Sequence, residues 1–151
     1  MFTVPGDPVA KGRARAFIRN GHVAHYTPSN TVAYENTVRT MARQAMAGRD
    51  PLAGPVALVV RAAMRIPGSW SRKRQQAAGL GTVVPTSRPD LDNLVKAIKD
   101  GCNGVVWRDD AQVIELLATK RYGHTPCVHV RIDVVADVDC GQPQMALEEA
   151  A

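Results

Sequence analysis

The chain has 151 residues, of which 45% are hydrophobic, enough to build one globular domain with its own core. No run is apolar over the length of a membrane span, and the beginning of the chain lacks the pattern of a signal peptide. The three cysteines are far apart, which argues against a disulfide framework or a zinc site and is typical of a reducing compartment.

The net charge of +5 is unevenly distributed along the chain. Residues 137–151 contain four acidic residues and no Lys or Arg, so leaving them out raises the net charge of residues 1–136 to +9. A basic domain favours a polyanionic partner, although many basic proteins bind nothing specific. Residues 137–151 show no helix or strand pattern, and we expect a flexible tail after a domain spanning residues 1–136.

The N-terminal segment predicts two strands. Residues 2–4 form a short apolar run, and residues 11–19 are predicted to be extended. Alternation then places Lys11, Arg13 and Arg15 on one face of the second strand. Such a row of cations could contact DNA phosphates, or it could only protect an exposed edge strand from aggregation.

The next elements alternate between strand and helix patterns. Asn20-Gly21 predicts a hairpin turn that leads to a strand at residues 22–26. A helical apolar stripe follows from the start signal at residues 27–30 to about Ala47. The long run of apolar and β-branched residues at 56–66 predicts a central strand.

A short basic helix is predicted after Ser71, which is a good N-cap residue. Its first residues form the densest basic cluster in the chain: Arg72, Lys73 and Arg74. A solvent-exposed helix face is the default interpretation of this cluster, and contact with DNA is the alternative. Arg88 brings a further positive charge close to the acidic stretch that follows.

Two acidic motifs follow, at residues 90–100 and 107–113. Apolar residues at helical spacing from Leu91 onward predict a helix of about three turns. Asp92, Lys96 and Asp100 would then lie on one face, since residues four apart are neighbours on a helix. Clustered carboxylates repel one another and commonly hold a divalent cation, and hard oxygen ligands favour magnesium or manganese.

Each of these acidic features also has a structural interpretation. An Asp at a helix start is commonly a cap, and an Asp–Lys pair four residues apart is commonly a surface salt bridge. Asp109-Asp110 could form a turn and cap the next segment. The combination of all these features in a basic protein favours a functional site.

The C-terminal part predicts two strands, at residues 111–122 and 127–135, paired as a hairpin around the turn at residues 123–126. Clean alternation in the second strand predicts four inward side chains: Val128, Val130, Ile132 and Val134.

The two acidic motifs together, Asp-Leu-Asp-Asn-Leu-x-Lys-Ala and Trp-x-Asp-Asp-Ala-Gln-Val, closely resemble those of the RusA-type Holliday junction resolvases of phages and prophages. The segments Pro5-Gly6, Lys11-Gly12-Arg13-Ala14-Arg15 and Tyr26-Thr27-Pro28 resemble the opening of that family, with Ala14 where Pro is common. The resemblance covers about residues 2–135. It implies a single-domain α/β (α+β) fold with a small mixed β-sheet and flanking helices.

The resemblance also implies an activity. A homodimeric, magnesium-dependent endodeoxyribonuclease would cut four-way DNA junctions by paired symmetric nicks, with manganese able to substitute. The matching positions imply catalytic roles for Asp90, Asp92, Lys96 and Asp110, with the three carboxylates as metal ligands and Asp109 as an alternative to Asp110. DNA phosphates are expected to contact a set of basic residues: Lys11, Arg13, Arg15, Arg72, Lys73, Arg74 and Arg88.

We therefore expect a cytoplasmic protein, bacterial or phage-encoded, that acts in DNA recombination or repair without a membrane partner. Two other functions stay open. One is a protein that binds DNA junctions without cutting them, and the other is a magnesium-dependent hydrolase of small phosphate substrates. The complete set of acidic residues and Lys96 argues against the first, and the charge of +9 on residues 1–136 argues against the second.

Overall fold

The computed structural model describes residues 1–12, 15–19, 22–26 and 28–136. The predicted tail at residues 137–151 and the predicted turn at Asn20-Gly21 lie outside these residues. Within them, strands and helices follow one another along the chain as β1 (Phe2–Pro5), β2 (Arg15–Arg19), β3 (His22–Tyr26), α1 (Ser29–Met46), β4 (Val56–Arg65), α2 (Arg72–Gly79), α3 (Leu91–Cys102), β5 (Val113–Gly123) and β6 (Cys127–Val134). None of the helices in the described ranges is long and apolar enough to cross a membrane.

Four strands form one mixed sheet in the order β1-β6-β4-β5. β4 is antiparallel to β6 and parallel to β5, and β1 pairs antiparallel with β6. β2 and β3 form a separate antiparallel pair, in which Arg19 lies opposite His22. The predicted α+β fold, with a small mixed sheet and flanking helices in a single domain, is confirmed.

The predicted hairpin between β5 and β6 is wrong. These strands lie on opposite sides of β4, since Val60 is opposite both Ala118 of β5 and Val130 of β6. β4 is long and apolar, and partners on both sides satisfy the backbone hydrogen-bonding groups along its two edges. A direct hairpin would leave one of these edges without β5 or β6 as its partner.

The inward side chains of β6 follow the prediction only in part. Val128 and Val130 are fully buried, whereas Val134 is 59% exposed. Val134 is the last residue of the strand, and it lines an open surface groove. The alternation therefore identifies the correct face of β6 but not the extent of its burial.

α1 and α3 pack against one another and against the sheet. Their apolar faces and the sheet form one core, which includes Val4, Val38, Leu58, Val60, Leu94, Ile98, Trp107, Val128 and Val130. The two helices approach closely at Gly101, where an added Cβ would lie 2.6 Å from the Cβ of Val38. This packing leaves the opposite side of α3 at the surface, where the candidate site lies.

Candidate active site

α3 carries a charged stripe on the side that faces away from the core. Leu94, Val95 and Ile98 are buried, so the 3.6-residue period directs Asp92 and Lys96 outward. The ammonium nitrogen Nζ of Lys96 lies 3.1 Å from Oδ1 of Asp100, one turn further along the helix. The predicted single face of Asp92, Lys96 and Asp100 is confirmed.

Asp110 folds back against this stripe. Its Oδ2 accepts a hydrogen bond of 3.2 Å from Lys96 Nζ, and it lies 3.5 Å from Nζ of Lys99. Two other residues of the same motif hold Asp110 there. Trp107 is fully buried in the core, and the side-chain amide of Gln112 donates to the carbonyl oxygens of Leu52 and Gly54 at 3.0 and 2.8 Å.

The side chain of Asp109 caps the short turn that follows it. Its side chain accepts a hydrogen bond of 2.8 Å from the backbone N–H of Ala111, and with Gln112 it forms a capping box on the 3₁₀ turn at Asp110–Gln112. The structural interpretation of the Asp109 carboxylate therefore agrees with the observed hydrogen bonds. Asp110, which points to the lysines of α3, is the better placed of the two for the candidate site.

Asp90 is the N-cap residue of α3, but its side chain makes no capping hydrogen bond. The segment before it is held by Lys120 of β5, which donates hydrogen bonds to the carbonyl oxygens of Ser87 and Pro89 at 2.8 and 2.9 Å. Sequence reasoning missed Lys120, because no local pattern connects residues more than 30 positions apart. Lys120 is well placed to fix the position of Asp90.

An open groove of about 700 Å³ runs beside Asp90. One wall is the loop after β1, and the other is the start of α3 with the residues before it. Arg88 is exposed at this groove and brings a positive charge next to Asp90. The lining residues are Pro8, Val9, Ala10, Asn30, Arg88, Pro89, Asp90 and Asn93.

The three predicted metal ligands fit a magnesium ion in their chemistry but do not form a complete site. Asp90, Asp92 and Asp110 offer the hard carboxylate oxygens that magnesium prefers. In the described ranges, however, no three His, Cys, Asp or Glu side chains are grouped closely enough to hold a metal ion. The positive charges next to Asp110 are instead those of Lys96 and Lys99, whose Nζ atoms lie 3.2 and 3.5 Å from its Oδ2.

The local charges stabilise the ionised forms of two site residues. Hydrogen bonds to Asp100 and Asp110 raise the pKa of Lys96, despite its partial burial. The hydrogen bond from Lys96 lowers the pKa of Asp110, and the charge of Lys99 adds to this effect. At neutral pH Lys96 is therefore a cation and Asp110 an anion.

Lys11 does not lie on a strand face. The structure has Lys11 in the loop after β1, and the second strand begins at Arg15. The Nζ of Lys11 lies 2.6 Å from Oε1 of Glu35 and 2.9 Å from Oδ2 of Asp100. Partial burial alone would lower the pKa of Lys11, but its hydrogen bonds to Asp100 and Glu35 outweigh burial, and the net effect raises it.

The other predicted DNA contacts are spread over the surface. Arg72, Lys73 and Arg74 are exposed on α2, where the guanidinium carbon of Arg74 lies 3.8 Å above the ring of Trp70. Arg13 lies outside the described residues, as does the side chain of Arg15. The exposed cations of α2 and Arg88 remain predicted phosphate contacts.

Comparison with known proteins identifies the family. The family model for Endodeoxyribonuclease RusA matches residues 5–133. This chain belongs to the RusA endodeoxyribonuclease family. The resemblance inferred from the two acidic motifs is thereby confirmed, and a RusA-type nuclease acts on DNA by hydrolysing phosphodiester bonds.

A curated protein is similar over nearly the same length. The uncharacterized protein YqaN of Bacillus subtilis (strain 168) is 38% identical over 137 residues, which cover 89% of this chain and 96% of that protein. The similarity therefore extends over most of both chains.

Proposed function

We propose that this RusA-family nuclease is a metal-dependent enzyme that resolves four-way DNA junctions by paired symmetric nicks. It would act as a homodimer in the cytoplasm, in DNA recombination or repair. One observation carries the proposal: Asp110 meets Lys96 beside the exposed Asp92, on the surface of a domain from an endodeoxyribonuclease family.

Hydrolysis of a phosphodiester requires an activated water molecule and compensation of the negative charge that develops on the phosphate. A magnesium ion held by Asp90, Asp92 and Asp110 would lower the pKa of water and neutralise phosphate charge, and manganese would substitute for it. Lys96 would supply a fixed positive charge close to the reacting phosphate. Because its pKa is raised, Lys96 is suited to this electrostatic role and not to that of a general base.

The charge of the surface supports a long polyanionic substrate over a small phosphate. Residues 1–136 carry a net charge of +9, which would attract DNA to a site that is itself lined by carboxylates. The groove beside Asp90 is open and bordered by Arg88, as a passage for a DNA strand would need to be. Junction preference would then depend on the shape and backbone path of the DNA more than on base contacts.

The open edge of β5 supports a homodimer. Among the described residues, β5 is the last strand of the sheet and has a strand partner, β4, on one side only. It exposes three large apolar side chains, Ile114, Leu116 and Leu117, each more than half exposed. An exposed apolar edge strand invites pairing, and two copies of β5 related by a two-fold axis would join their sheets. Such a dimer would present two equivalent active sites to the two symmetric strands of a junction.

The substitution Asp92→Asn tests the assignment of the site. It should abolish junction cutting while leaving junction binding unchanged or tighter, because it removes a negative charge that repels phosphates. Asp50→Asn, on the exposed connection after α1, is the matched control and should cut normally. Normal cutting by Asp92→Asn would contradict the assignment.

The same preparation separates the alternatives. Removal of divalent cations with a chelator should stop cutting, and magnesium or manganese should restore it. Junction binding without cutting under all these conditions would favour a binding protein. Hydrolysis of a small phosphate ester that DNA does not inhibit would favour a small-substrate hydrolase.

A further inference from the structure

A group of partly buried charges lies next to the candidate active site and contacts it through Asp100. Lys11 in the loop after β1 meets Glu35 of α1 at 2.6 Å and Asp100 of α3 at 2.9 Å. Their side chains are only 28%, 17% and 24% exposed, respectively. Charges that are partly removed from water interact more strongly than surface charges, and leaving one without its partner is more costly.

The backbone holds Lys11 in this position. The N–H of Lys11 donates to the carbonyl oxygen of Asn93 in α3 at 2.8 Å. The N–H of Gly12 donates to the hydroxyl oxygen of Thr31 in α1 at 3.1 Å. The loop is therefore attached to both helices, and the ammonium group of Lys11 is held by its contacts with Glu35 and Asp100.

Asp100 connects Lys11 to the active site. Its Oδ2 faces Lys11, and its Oδ1 lies 3.1 Å from Nζ of Lys96. Lys96 in turn is shared between Asp100 and Asp110. Without Lys11, the full negative charge of Asp100 would act on Lys96 and would draw its ammonium group along α3, away from Asp110.

We propose that Lys11, held by Glu35, is a positioning residue that neutralises Asp100 and so leaves Lys96 available to Asp110 and to the scissile phosphate. The role of Lys96 in this inference rests on the proposed function. A positioning residue and a direct phosphate contact differ in their effects. Loss of a positioning residue lowers kcat with little change in junction affinity. Loss of a phosphate contact weakens junction binding and reduces the salt dependence of binding.

The variant Lys11→Gln distinguishes the two roles in single-turnover cleavage and junction-binding assays. We expect the cleavage rate to fall roughly tenfold or more, with the junction Kd within about twofold of the wild-type value and an unchanged salt slope. Lys11→Arg keeps the positive charge and should restore the rate to within about threefold of wild type. Arg43→Gln, on the exposed side of α1, is the charge-matched control and should change neither quantity.

A second substitution tests whether Asp100 competes with Asp110 for the ammonium group of Lys96. Asp100→Asn added to Lys11→Gln removes the charge that draws Lys96 away. The double variant should therefore cut faster than Lys11→Gln alone, a non-additive effect that two independent structural contacts would not produce. A double variant that is no faster than Lys11→Gln would contradict the proposal.

A measurement without cleavage makes the test independent of the proposed function. The side-chain ammonium NMR signal of Lys96, assigned by its loss in Lys96→Arg, should shift in Lys11→Gln and stay unchanged in Arg43→Gln. Glu35→Gln should produce a smaller shift in the same direction, and it replaces Lys11→Gln if that variant does not fold. If junctions are not cut but the Lys96 signal responds, the proposed function fails and the positioning role stands. An unchanged Lys96 signal, or a weaker junction affinity with an unchanged rate, would overturn the positioning role.

Discussion

The close contact of α1 and α3 at Gly101 can be tested by adding one methyl group. In Gly101→Ala the new Cβ would lie 2.6 Å from both Cβ and Cγ1 of Val38, and 3.0 Å from the carbonyl oxygen of Glu35. Carbon atoms pack at about 3.5–4.0 Å, so the contact with Val38 would be roughly 1 Å too short. The neighbouring atoms belong to a helix backbone and to a β-branched side chain, and only a separation of the two helices can relieve the contact.

Two opposing effects determine the change in stability. Ala is favoured over Gly inside a helix by about 1 kcal/mol, and this gain is smaller close to the helix end, where Gly101 lies. Overpacking of a core costs about 1–3 kcal/mol, and contacts with several atoms at once place this site at the upper end. We expect Gly101→Ala to lower the free energy of unfolding by about 2 kcal/mol, which shifts the urea midpoint by roughly 1 M.

Urea unfolding followed by circular dichroism at 222 nm measures this change. Gly68→Ala is the matched control, because no atom of the described residues lies within 4 Å of a Cβ added at Gly68, and it should stay within about 0.5 kcal/mol of wild type. Val38→Ala should be coupled to Gly101→Ala, with the double variant less destabilised than the sum of the two by about 1 kcal/mol. A Gly101→Ala variant as stable as wild type would refute the argument that this contact requires glycine.

Three further predictions concern the dimer, the active-site loop and pH. Leu116→Lys should turn the proposed homodimer into a monomer in sedimentation velocity. The control Leu80→Lys, at the exposed residue just after α2, should not, and a dimeric Leu116→Lys would disprove pairing through β5. Lys120→Met removes two hydrogen bonds to the segment before Asp90. It should speed amide hydrogen exchange in that segment and lower the free energy of unfolding by about 2 kcal/mol. Unchanged amide exchange would contradict the role of Lys120 in holding the segment. Burial alone would raise the pKa of Asp100, but hydrogen bonds from two lysines outweigh it and lower the pKa. The ionised carboxylate of Asp100 therefore stabilises the fold at pH values above its unfolded pKa of about 3.9, and this stabilisation is lost as the pH falls through the lower folded pKa. Asp100→Asn should thus be less stable than wild type at pH 7, and the difference should be smaller at low pH. An equal difference at both pH values would contradict this linkage.

The parts of the site that depend on one helix were predictable from the sequence. The positions of Asp92, Lys96 and Asp100 follow from residue spacing alone, because residues four apart share a helix face. The start of α2 after Ser71 followed in the same way from its capping residue, whose side chain accepts a hydrogen bond from the backbone of Arg74. The apolar run at residues 56–66 correctly indicated a central strand.

The parts that depend on contacts between distant segments were not predictable. β5 and β6 pair with β4 instead of with each other. This pairing depends on which strand edges still have backbone N–H and C=O groups without hydrogen-bond partners. The position of Lys11 between Glu35 and Asp100 depends on the packing of two helices around a loop. A strand pattern for residues 11–19 contained no information about this packing, and the alternation suggested an exposed face instead.

Junction resolution can be assayed with end-labelled synthetic four-way junctions. The products are separated on denaturing gels beside those of linear duplexes of the same sequence. With magnesium, we predict paired symmetric nicks in the junction and an intact duplex. Equal cutting of the duplex would contradict selectivity for junctions. Junction DNA that is bound but left uncut, with manganese as well as magnesium, would contradict the assignment of this site as a resolvase active centre.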